Sequence, residues 1–134
     1  MIQLDPKQSP RSNVNVVWLG DDLYWGGGAE GESLFNDLWH YSFRTQGWDR
    51  VDVPAWVDVL RGASLGDELA FKGRCPGGAV FDPSNGVWTP MSTAGSAYEL
   101  GASGALWVGV ADRLIEFNVE SDGLEYEGPF VFEP

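Results

Sequence analysis

With 134 residues, 43% of them apolar and 13% aromatic, the chain has material for one packed domain spanning residues 1–134, which excludes a disordered segment. The formal net charge of −12, from 8 Lys and Arg against 20 Asp and Glu, sets aside nucleic acid and anionic membrane as partners, because phosphate affinity needs clustered cations. Cys75 is the only cysteine, so no intramolecular disulfide forms.

The start, Met1 to Pro6, has neither a basic region nor an apolar one, and no apolar run approaches the roughly 18 residues of a membrane helix. A cytoplasmic protein is the expectation by default. Alternating apolar residues then predict strands at Val14–Leu19 and Leu23–Trp25, joined by the acidic turn Gly20-Asp21-Asp22. The glycines from Gly26 to Gly28 and Gly31 lack the Gly-Lys-Ser/Thr ending and following helix of a phosphate loop, and read as a flexible surface loop. Further strands are predicted at Leu38–Phe43 and, after a turn ending in Gly47, at Trp48–Val53.

The same order returns twice. Strands are predicted at Val57–Leu60, Leu69–Lys72, Ala79–Phe81 and Val87–Thr89, then at Ala97–Leu100, Leu106–Val110, Leu114–Val119 and Leu124–Glu127. Phe130–Phe132 reads as one more strand. Turn glycines at Gly47, Gly86 and Gly123 mark the period, as do the aromatics Tyr41, Phe81 and Phe117 upstream of them. Asp82-Pro83-Ser84-Asn85-Gly86 and Glu120-Ser121-Asp122-Gly123 are turn sequences, since Pro presets one dihedral and Asn, Asp and Gly tolerate positive φ. Helical periodicity is weak everywhere, with Trp56–Gly62 the one segment to watch. Three repeats of about 14–54, 56–91 and 96–128 result.

The order Leu23-Tyr24-Trp25-Gly26-Gly27, then Asn36-Asp37-Leu38-Trp39-His40-Tyr41, then Gly47-Trp48 resembles the kelch repeat, with its paired glycines, tyrosine and tryptophan. The second repeat keeps Gly77-Gly78, Phe81 and Trp88, with the glycine pair displaced, and the third keeps only Leu114-Ile115-Glu116-Phe117-Asn118 and the Asp-Gly turn. The resemblance implies an all-β fold of β-propeller blades, each a four-stranded antiparallel sheet, with Trp48 and Trp88 packed in the core. Propellers close with about 4 to 8 blades, and three are too few. If each open end exposes roughly 500 Å² of apolar area, covering it is worth on the order of 12 kcal/mol. Homodimerisation into a six-bladed ring is the expected solution. Blades supplied by another polypeptide, or terminal segments folded over the ends, are the alternatives.

Catalysis is not expected. The copper oxidases among kelch proteins need several His and Tyr ligands and a cysteine cross-linked to tyrosine, whereas this chain has only His40, read as structural. Asp21-Asp22 and Asp67-Glu68 recur at equivalent places and read as exposed turns rather than a metal or acid/base site. No nucleophile elbow or Cys/His pair is present, so no cofactor, metal or catalytic residue is assigned. A non-catalytic protein-binding module is the leading expectation. Its candidate contacts are Glu30, Glu32 and Phe35 in the loop of residues 29–36 and Arg74 in that of residues 73–77. One alternative is a small acidic inhibitor or immunity protein that covers a basic active site with the eight carboxylates that follow Tyr98. Another is a carbohydrate-binding propeller, which requires several of the 7 tryptophans to be exposed. Adaptation to a saline cytoplasm would also account for the acidity.

Overall fold

A computed structural model describes residues 10–72, 78–91, 105–110, 113–119 and 126–132, the last three segments as backbone only. The chain is all-β, with no helix among the described residues. In the first sheet β1 (Asn15–Leu19), β2 (Asp22–Gly26), β5 (Leu38–Ser42) and β6 (Gly47–Val51) run as an antiparallel meander, with a small hairpin of β3 (Ala29–Glu30) and β4 (Ser33–Leu34) inserted after β2. The second sheet repeats the meander with β7 (Arg61–Leu65), β8 (Glu68–Lys72), β9 (Ala79–Asp82) and β10 (Val87–Pro90). The third joins β11 (Ala105–Val110), β12 (Arg113–Val119) and β13 (Tyr126–Phe132), again antiparallel.

The first strands of the sheets lie side by side: β7 packs against β1 on one flank and against β11 on the other. Among the described residues β1 and β11 make no comparable contact, so the three sheets form an arc rather than a closed ring. Strand pleating explains how the sheets stack. On the first sheet Val17, Tyr24 and Leu38 face the second and meet Leu69, Phe71, Ala79 and Phe81 there. Leu69 and Ala70 are both fully buried although adjacent, which requires the second sheet to be covered on both faces. Its other face, with Ala63, Leu65 and Ala70, forms a smaller core on the side of β11.

Strand positions in the first sheet agree with the sequence reading to within two residues. The first strand of the second sheet does not. Val57–Leu60 is an irregular connector, and the strand is Arg61–Leu65. Val57 and Val59 are buried, but their backbone groups are held by a side chain: Asn36 Nδ2 donates to the Val57 carbonyl at 2.7 Å, and the Val59 amide donates to Asn36 Oδ1 at 2.8 Å. Trp56–Gly62 is accordingly connector and strand. Tyr126–Phe132 is one strand, merging the two expected near Leu124–Glu127 and Phe130–Phe132. The strand expected at Ala97–Leu100, the turn at Glu120–Gly123 and Cys75 lie outside the described residues.

The triple glycine is also different from its expectation. Gly26, Gly27 and Gly28 are buried, not a flexible surface loop. Gly27 and Gly28 take φ of +68° and +86°, and a Cβ on Gly27 would strike the Val59 carbonyl oxygen. Backbone of one sheet here touches the connector leading to the next. The acidic turns behave as expected: Gly20 and Gly66 have positive φ, and Asp21 and Asp67 are exposed beside them.

Candidate binding surfaces of the first sheet

The face of the first sheet turned away from the second carries two cross-strand rows. One is Trp18, Leu23, Tyr41 and Trp48; the other is Val16, Trp25, Trp39 and Arg50. No other described sheet packs on this face. Leu23, Trp25 and Trp39 are nonetheless buried, because their neighbours in the rows cover them. Trp25 meets Trp48 edge-on at 6.5 Å, and Tyr41 lies 5.1 Å from Trp48 and 5.0 Å from Phe43. At the margin apolar surface is left bare: Val16 is 52% exposed, Trp18 54% and Phe43 40%. Trp48 and Trp88, expected in the core, are each half-buried. Trp88 fits that expectation better, packing on Phe71 and Phe81 while its indole N–H donates to the Asp52 carbonyl at 2.9 Å.

At one end of this sheet lies the loop that joins β2 to β5. Glu30 and Glu32 are exposed there, on the small hairpin and its turn. Phe35 is half-buried, with its ring committed to the protein itself: the Arg11 guanidinium sits 3.7 Å from its centroid and 4.7 Å from that of Trp25. Arg11 Nη1 also donates to Asp37 Oδ1 at 2.5 Å and to the Gly27 carbonyl at 3.0 Å, and its side chain is 2% exposed. Backbone bonds exchanged between Ser12 and Ala29 complete the clamp. The structure therefore brings Glu30, Glu32 and Phe35 together on a braced loop. Arg74 lies outside the described residues. Sequence reading missed Arg11, whose role depends on two aromatic rings distant in sequence.

At the opposite end the turns after β1 and β5 enclose a shallow groove of about 850 Å³, lined by Trp18, Asp21, Asp22, Phe43, Arg44 and neighbouring residues. The Trp18 and Phe43 rings stack there at 5.5 Å with 17° between their planes. Beneath, on the inward face, His40 stacks on Tyr24 at 4.8 Å, and its Nε2 lies 3.4 Å from Asp22 Oδ1. Burial, then the nearby Asp22 carboxylate, pushes the Tyr24 hydroxyl up to about 12. Tyr24 is thus a neutral packing group. In the turn after β9, the Ser84 side-chain and backbone donors hold the Asp82 carboxyl below its usual range. Among the described residues no group of three His, Cys, Asp or Glu side chains is arranged to hold a metal, and no helix is long and apolar enough to cross a membrane.

No family model matches the chain, and no curated protein does. Among solved structures it is similar to that of YjhT, with a TM-score of 0.64 and 16% identity. The match takes in 96% of this chain and 54% of YjhT, so the chain spans about half the length of that structure.

Proposed function

We propose that the chain is a non-catalytic protein-interaction module built of kelch-like propeller blades, and that a second copy completes it into a six-bladed ring. The observation that carries this reading is the open, aromatic face of the first sheet, where Val16 remains 52% exposed in the row with buried Trp25 and Trp39 and no described sheet covers it. A contiguous apolar patch rimmed by charge is characteristic of an interface. The chain spans only 54% of YjhT, and a second copy would supply a length comparable to the remainder. In such a ring the first sheet of each copy meets the third sheet of the other, and the two contacts are related by a two-fold axis. The braced loop bearing Glu30 and Glu32 then projects from one end of the assembly as the contact surface for a protein partner.

The net charge of −12 gives that partner a basic surface and sets nucleic acid aside. Light scattering on the full chain over a range of concentrations tests the closure. A mass twice that of the chain is expected, and a monomer at all concentrations would overturn it.

A further inference from the structure

We propose that the groove at the turn end of the first sheet, where the Trp18 and Phe43 rings stack beside the turn bearing the exposed Asp21, docks an arginine- or lysine-bearing segment of a basic protein partner. The inference rests on the interaction-module reading and names the chemistry its partner presents.

The groove combines the two attractions that hold a side-chain cation. Trp18 and Phe43 stack on each other yet remain 54% and 40% exposed, so the ring surface outside their mutual contact faces solvent, and a cation is drawn to such faces within about 6 Å of a centroid. Asp21 is exposed on the adjoining turn, whereas the Asp22 side chain turns to His40 on the inward face. The Asp21 carboxylate supplies a charge-assisted acceptor for N–H donors. The volume of about 850 Å³ accommodates a guanidinium with its neighbouring residues.

The molecule already uses this recognition at the other end of the same sheet. There the Arg11 guanidinium lies over Trp25 and Phe35 and donates to Asp37. The groove also presents two rings and an aspartate, but its rings stack on each other, so a cation there meets an outer face of the pair. Among the described residues, however, no cation of the chain lies over Trp18 or Phe43. Arg44 on the groove wall is a like charge that lowers affinity for a cation without occupying the rings. The chain's overall negative charge speeds the encounter with a basic segment. The groove lies at the turn end, about the strand pair Leu19↔Asp22, so a sheet docked on the single row of Val16, Trp25, Trp39 and Arg50 leaves the Trp18 and Phe43 rings at its margin.

The test is titration of the full chain with a blocked tri-arginine peptide, following the indole N–H resonance of Trp18, with solution mass measured on the same samples. A saturable shift is expected. Phe43→Ala and Asp21→Asn should each weaken binding about tenfold, the upper range of a single cation–π or ion-pair contact, and Arg44→Ala should tighten it severalfold. Asp21 is at an exposed turn, so that variant keeps the fold, and near-UV circular dichroism checks the others. Affinity unchanged in both Phe43→Ala and Asp21→Asn would mean diffuse attraction elsewhere and overturn the proposal. A shift caused by uncharged methyl glucoside but not by the peptide would overturn it in favour of a sugar platform. Loss of peptide binding in samples that remain dimeric would defeat the groove alone; a monomer that still binds the peptide would defeat the ring and leave the groove standing.

Discussion

Gly27 shows how one residue couples two sheets. Its φ of +68° lies where an L side chain is strained by about 1–2 kcal/mol, and the path of a Cβ there runs into the Val59 carbonyl oxygen. Gly20 has nearly the same backbone, φ +59°, but open space around it. The two positions separate strain from collision. Gly20→Ala should cost about 1–2 kcal/mol, whereas Gly27→Ala should cost at least about 4 kcal/mol, among the largest single-residue effects. Urea unfolding midpoints of the two variants check this, and equal costs would mean that the Val59 connector simply moves aside. The glycine run was legible in the sequence. Its burial was not, because composition alone makes Gly26-Gly27-Gly28 look like a loose loop, and only the approach of a distant carbonyl shows otherwise.

At the scale of elements, the first sheet is read easily because β-branched and aromatic residues alternate and turn glycines punctuate them. The second sheet deceives at its start. Val57-Asp58-Val59-Leu60 alternates like a strand, while the true strand, Arg61-Gly62-Ala63-Ser64-Leu65, has no β-branched residue. The reason is packing: a Cβ on Gly62 would press into the Phe71 ring, and Ala63 faces the second core, so a sheet enclosed on both sides takes small residues in its first strand. The connector's order comes instead from Asn36, which satisfies Val57 and Val59 at once. Asn36→Ala should therefore cost about 2 kcal/mol, since two backbone groups lose their partners. Asn85→Ala, which removes the bonds of its side chain to the Val87 amide and the Asp82 carboxylate in an exposed turn, should cost less than about 1 kcal/mol. Chemical denaturation of both proteins, with an unchanged slope, checks the difference. The groove was not legible either: Trp18 reads as one more strand aromatic, and its exposure depends on which side of the arc is open.

For the whole molecule the decisive quantity is what covers the free face of the first sheet. Val16 sits on β1, the edge strand of the first sheet that packs beside β7, and is 52% exposed in the single chain, so a polar residue is tolerated there by the isolated fold. Within a closed ring the same position lies under another sheet, where an unpaired ammonium loses its hydration without gaining a partner. Val16→Lys should thus leave near-UV circular dichroism and thermal unfolding of the chain itself nearly unchanged while converting a dimer to a monomer. Val87→Lys is the matched control. Val87 is 51% exposed but stands on β10, the strand of the second sheet farthest from β7 and hence from the line along which the sheets meet, so this variant should remain dimeric. Both masses can be read by light scattering at one protein concentration. If Val16→Lys stays dimeric while Val87→Lys falls apart, the copies associate through the outer strands, and the open aromatic face belongs to some other occupant.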